Sequence, residues 1–183
     1  MDGKAGRIPN LAFTLIELMV AVAILAIGLV VTVPAMRDLV HNNTLRAEAS
    51  RLLSAINLVR SEAIARNSTV SMCPSSFAND AVAACSRSYS DGWIIFTNNT
   101  RDRKVEGESI LRVFAGLPPG YSLSNKAGTR DAFELISYLQ DGSSRRNKTL
   151  LLCPPFTPET PSWSIVLNRV GRPRIARGWG HCQ

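Results

Sequence analysis

A dense apolar block near the N-terminus, broken by a single acid, constrains this chain more than any other feature. The chain begins Met1-Asp2-Gly3-Lys4-Ala5-Gly6-Arg7-Ile8-Pro9-Asn10-Leu11-Ala12, which is short, polar and lightly basic. It then turns abruptly apolar at Phe13-Thr14-Leu15-Ile16-Glu17-Leu18-Met19-Val20 and continues so through Ala21 to Val33. From Phe13 to Met36 is 24 residues, and a helix of that length covers about 36 Å against a hydrocarbon core of about 30 Å. An ordinary secretory signal is cut after its apolar region at a small-x-small site. None follows here, so the apolar segment is expected to survive in the mature protein. Lys4 and Arg7 hold the N-terminus on the cytoplasmic side and send the rest across the membrane. Glu17 is the anomaly, because a carboxylate in such a segment costs on the order of a few kcal/mol unless paired or near the interface. Two readings stay open: a side chain reaching to the head-group region, or a partner for a positive group on a neighbouring copy.

The run Ala12-Phe13-Thr14-Leu15-Ile16-Glu17-Leu18-Met19-Val20 resembles the prepilin leader junction of type IV pilins and type II secretion pseudopilins. The resemblance implies that a prepilin peptidase cuts between Ala12 and Phe13 and that Phe13 is N-methylated. It further implies that Glu17 pairs with the methylated N-terminus of an adjacent subunit during filament assembly. The family usually carries Gly before the cut, where this chain has Ala12. The expected organisation is therefore a leader over 1–12, a transmembrane and filament-packing helix over 13–36, an amphipathic helix arm over 37–67 and a β-rich periplasmic head over 68–183. Such a chain sits in the inner membrane with one pass, and outside the cell once assembled in a pilus.

From Met36 to Asn67 the helical period continues in amphipathic form, with Leu45, Ala49, Leu52, Leu53, Ile56, Val59, Ala63 and Ile64 at three- and four-residue steps. Arg46, Glu48, Arg51, Arg60 and Glu62 fall on the other face. The run Arg60-Ser61-Glu62-Ala63 resembles a signature of the GspH/FimT group of minor pilins, though as chemistry an Arg and a Glu two apart on a helix form no site. Beyond Asn67 the period shortens to that of strands: 69–73, 93–97, 110–114, 149–152 and 163–167, with 121–123 and 133–139 as two more. Asp-Gly, Pro-Pro-Gly and Asn-rich turns separate them. One long helix followed by strands predicts an α+β chain, its helix packed on a mainly antiparallel sheet. Trp93 reads as core.

Four cysteines, Cys73, Cys85, Cys153 and Cys182, all follow the apolar segment. Their scattered spacing is wrong for a metal knuckle, and their even number in an exported segment suggests two disulfides. Of the three connectivities, the local pairs Cys73–Cys85 and Cys153–Cys182 are preferred, with reduced, buried thiols as the alternative. No nucleophile elbow, P-loop, zinc-protease or dinucleotide pattern is present, and the two histidines are far apart. Neither an enzyme nor a cofactor is expected.

The net charge of +7 is placed unevenly. Residues 13–144 carry twelve basic and twelve acidic side chains, whereas 145–183 carry Arg145, Arg146, Lys148, Arg169, Arg172, Arg174 and Arg177 against Glu159 alone. That asymmetry points to an anionic partner, or to a solvated basic edge. Arg172 and Arg174, two apart on an extended chain, are expected to face one side as a phosphate-binding fork. Gly171-Arg172-Pro173-Arg174 matches the Gly-Arg-x-Arg pattern of the FimT-like branch of these minor pilins. That resemblance implies non-specific DNA binding in natural transformation, with Arg172 and Arg174 as contacts helped by Arg169, Arg177, Arg145, Arg146 and Lys148. The implied partners are DNA, major and minor pilins, the prepilin peptidase and the inner membrane. The alternative is a structural minor pilin or type II secretion pseudopilin that primes filament assembly without touching DNA.

Overall fold

The computed structural model describes residues 14–100, 102–106, 109–155 and 162–182, apart from the side chains of Val31, Pro34 and Ala35. The expected leader, the scissile pair Ala12 and Phe13, and Glu159 lie outside the described residues. The chain divides into two compact units, Met1–Val40 and His41–Gln183. One helix, α1 (Leu15–Ala65), contributes residues to each.

In the first unit the Thr14 hydroxyl accepts the backbone N–H of Glu17 at 3.3 Å. This is the N-cap arrangement, and it places the Glu17 carboxylate in the first turn, where the helix dipole favours negative charge. A local reason for the acid thus stands beside the two readings open from sequence. The described large apolar side chains from Leu15 to Val40 are all exposed, from 45% at Val33 to 76% at Leu15. Among the described residues no helix is long and apolar enough to cross a membrane. Described side chains run unbroken only from Thr14 to Val30, and the 24-residue expectation also takes in Phe13, Val31, Pro34 and Ala35.

In the second unit, the eight strands among the described residues form two antiparallel sheets. The first has the order β3 (Ile110–Ala115), β2 (Gly92–Thr97), β1 (Val70–Pro74), β5 (Ile136–Tyr138). The second has the order β4 (Ser122–Asn125), β6 (Lys148–Cys153), β7 (Trp163–Leu167), β8 (Pro173–Arg177). Leu45, Ala49, Leu52, Ile56, Val59 and Ala63 recur in alternating steps of four and three, so they share one helix stripe, and all are buried. They pack in one core with Met72, Trp93 and Ile95 of the first sheet and Leu150, Leu152, Ile165 and Leu167 of the second. Ile64, expected in that stripe, is instead half exposed.

The opposite side of the first sheet carries a smaller cluster of Cys73, Ile94 and Phe96, packed on Phe77, Cys85 and Val113. Both faces of β2 are therefore covered, which is why its sequence is an apolar run without alternation. Both local disulfides form, Cys73–Cys85 and Cys153–Cys182. Arg51, assigned from sequence to the face opposite the apolar stripe, turns inward. Its guanidinium sits 4.6 Å from the Trp93 ring centre and donates to the carbonyls of Ala115 and Gly116 at 3.2 and 2.9 Å.

Candidate nucleic-acid interface

β8 is the edge strand of the second sheet, paired on one side only with β7, in the register Val166↔Arg174 and Ile165↔Ile175. Read from sequence as an extended tail, this segment is a regular strand. Pro173 opens it, a position that suits a residue lacking an N–H. Side chains alternate across a strand: Ile175 joins the core side, so Arg174 lies on the outer face and Arg177 on the core side. There Arg177 stands 5.1 Å from the Trp163 ring, and the two arginines do not share a face.

The β7–β8 turn is built by Asn168, whose carbonyl and side-chain oxygens accept the N–H groups of Gly171 and Arg172 at 3.0 and 2.9 Å. Gly171 has φ +82°, in the left-handed region that favours glycine. Its missing side chain lets the turn press onto the β5–β6 loop, since a Cβ there would strike the Gly142 carbonyl oxygen. Two further bonds tie the loops. The Ser144 N–H donates to the Arg169 carbonyl at 3.1 Å, and the Arg169 N–H to Asn147 Oδ1 at 2.8 Å. A Cβ on Gly142 would in turn meet Ile64 and Arg60 of α1. Of the Arg60-Ser61-Glu62-Ala63 run, Arg60 thus lies against the loop, with Ile64 beside it.

The tertiary fold therefore brings together Arg145 and Arg146 from one loop with Arg169 and Arg172 from the other, which in sequence are more than twenty residues apart. All four are exposed, as are Arg174 and Arg177. None of these six enters an ion pair among the described residues. The two loops carry one carboxylate, Asp141, which accepts from the Ser143 hydroxyl and N–H and so stays below the usual carboxylate range.

Lys148 lines one groove with Arg145 and Arg146 but differs from them in having its charge engaged. Its ammonium is held at 2.6 Å by Glu134 and at 2.8 Å by the Leu135 carbonyl, and burial lowers its pKa. The hydrogen bond from Lys148 in turn lowers that of Glu134. Its charge is used within the fold.

Replacing Gly171 by alanine tests the docking of the loops. The left-handed backbone costs an alanine about 1–2 kcal/mol, and the clash with Gly142 adds to it. A fall of about 2 kcal/mol or more is expected in urea unfolding, whereas Gly178→Ala, with open space around it, is expected to cost only the backbone part.

Sequence reasoning missed two residues at this end. Trp179 is 44% exposed, with the Arg174 guanidinium 4.9 Å and the Lys126 ammonium 5.3 Å from its ring centre. The glycines flanking it in Gly178-Trp179-Gly180 were the available signal.

A family model described as Type II transport protein GspH matches residues 48–171. A second, described as the prokaryotic N-terminal methylation motif, matches residues 10–33. No curated protein matches the chain. Among solved structures, the type IV minor pilin FimU of Pseudomonas aeruginosa (strain PAO1) is similar in two crystal forms. The P21 form is 16% identical over 78% of this chain and 96% of that one, with a TM-score of 0.59. For the P65 form the values are 16%, 75%, 97% and 0.56. The minor pseudopilin EpsH of the Vibrio cholerae type 2 secretion system is 14% identical over 72% of this chain and 95% of that one, with a TM-score of 0.49. At these identities the FimU likeness bears on the fold, an N-terminal helix packed on antiparallel sheets, and on nothing finer.

Proposed function

We propose, on the premise that the chain belongs to the type II transport protein GspH family, that it is a FimT-like minor pilin binding DNA non-specifically during DNA uptake. Membership makes it a minor pilin or pseudopilin of the type IV pilus or type II secretion kind, a structural class and not an enzymatic one. Pilin-like proteins associate with other pilins and are processed by prepilin peptidase. On this reading Ala12–Phe13 is the cleavage point, Phe13 is methylated, and Glu17 meets the N-terminus of a neighbouring subunit. The exposed apolar residues of the first unit support its holding the chain in the inner membrane by a single pass, and later packing in the filament.

The observation that carries DNA binding is the docking of two loops that gathers Arg145, Arg146, Arg169 and Arg172 with no ion-pair partner among the described residues. Arginines that are not engaged by a carboxylate keep their full complement of donors for phosphate oxygens. Arg174 extends the group along β8, Arg177 lies to its other side, and Lys148 acts through the fold by holding Glu134. Contacts of this kind position phosphates and read no sequence.

Four phosphate contacts correspond to a loss of roughly a hundredfold in affinity between about 50 and 200 mM salt. Binding of duplex DNA by the full chain in detergent, titrated against salt beside Arg145→Gln/Arg146→Gln/Arg169→Gln/Arg172→Gln, is the test. The wild type is expected to show that slope and the variant to lose most of it. Unchanged binding in the variant, or binding indifferent to salt, would sink the proposal. The chain would then be read as a structural minor pilin or pseudopilin that primes filament assembly.

A further inference from the structure

The basic end carries an aromatic group that phosphate binding leaves unexplained. Of the three tryptophans, Trp93 and Trp163 are 0% and 9% exposed, whereas Trp179 is 44% exposed. It does not hang on a loose tail. The Gly178 N–H donates to the Ser162 carbonyl at 2.9 Å, and the Ser162 hydroxyl to the Gly180 carbonyl at 2.6 Å. Gly180 packs on the backbone of Lys126, Gly128 on that of His181, and Cys182 is bonded to Cys153 in β6. A large apolar ring is thus held at the surface by a stapled segment, with a cation against it from each of two elements, Lys126 and Arg174. Beside the ring lies a groove of about 480 Å³ whose lining includes Thr149, Val166 and Asn168. Both ring-side cations end in donors suited to phosphate.

We infer that this is a subsite for single-stranded DNA, in which a nucleobase stacks on Trp179 while Arg174 and Lys126 move to the flanking phosphates. The inference rests on the DNA-binding reading above and deepens it. A duplex hides its base faces in the stack, so only an unpaired base can use the ring, and stacking is tolerant of base identity because every base has a π-face. The backbone of the strand then continues toward the arginines of the two docked loops through Arg174, which belongs to both places.

The test uses the full chain in detergent, with a short oligothymidylate and a duplex of the same length as probes. Oligothymidylate is expected to quench the tryptophan fluorescence, because the exposed ring is Trp179. In Trp179→Leu the quenching disappears and affinity for oligothymidylate falls about tenfold, within the range measured for base–aromatic stacking, while duplex affinity moves less than about twofold. Trp179→Phe, which keeps an aromatic face, is expected to retain most of the single-strand affinity. Equal losses for both probes, or an unquenched wild type that binds duplex, would overturn the subsite and leave the phosphate-binding reading standing. Binding of neither probe overturns both readings, so the two failures are distinguishable.

Discussion

Replacing Trp93 by alanine is expected to lower the stability of the second unit by about 3–5 kcal/mol, the range for truncating a large buried aromatic. The ring is fully buried and stacks on Phe114 at 5.5 Å between centroids, with Tyr89 at 6.3 Å. It also carries the Arg51 guanidinium on its face. Its removal leaves a cavity lined on one side by a cation, which apolar neighbours cannot fill by moving inward. Urea unfolding followed by far-UV circular dichroism measures the loss. Trp179→Ala in the same assay is expected to stay within about 1 kcal/mol, since a half-exposed ring forfeits little burial. Losses of similar size in the two variants would contradict the placement of Trp93 at the centre of the core.

The second large effect is expected from opening the Cys153–Cys182 disulfide in Cys153→Ser/Cys182→Ser. The bond spans 29 residues of sequence, and on the loop-entropy model its removal costs about 3.5 kcal/mol. A functional signature follows as well. The staple fixes the segment bearing Trp179, whereas the two basic loops are fixed by Gly171, Gly142 and Asn147. The variant is therefore expected to lose preference for single-stranded DNA while keeping its salt-dependent affinity for duplex. Comparison of wild type and variant without reductant, where Cys73–Cys85 stays closed in both, isolates the contribution of this bond. Full retention of single-strand preference would show that Trp179 is held by packing alone.

Much of this molecule was legible in the chain. The helix stripe from Leu45 to Ala63 announces itself because core-facing positions on an α-helix recur every three to four residues, and burial follows that period. Strands β1, β2, β3, β6 and β7 stood out as short β-branched and aromatic runs between turn residues. The local disulfide pairs were preferred on short separation, and they are the ones that form. Arg51 was misplaced because helical periodicity records only angle around the axis. It does not show that a long side chain near the edge of the stripe can lie over a ring from another element. β8 was read as an extended tail because Pro, Arg and Gly weaken the strand signal. An edge strand tolerates all three, since half of its backbone groups need no partner strand.

By itself, then, the sequence determined the family-bearing N-terminal motif, the α+β class, the helix face that meets the core and the excess of positive charge near the C-terminus. These are properties of neighbouring residues, written in periods and short runs. The tertiary structure alone decided which of those charges act together. The loop bearing Arg145 and Arg146 docks on the one bearing Arg169 and Arg172 where Gly171 and Gly142 let two turns touch. Lys148 is withdrawn from the group by Glu134, Arg177 by the alternation of β8, and Trp179 is brought to Arg174 and Lys126 by a disulfide and two glycines. Each of these depends on contacts between residues distant in the chain, and no local pattern of charge or hydropathy encodes them.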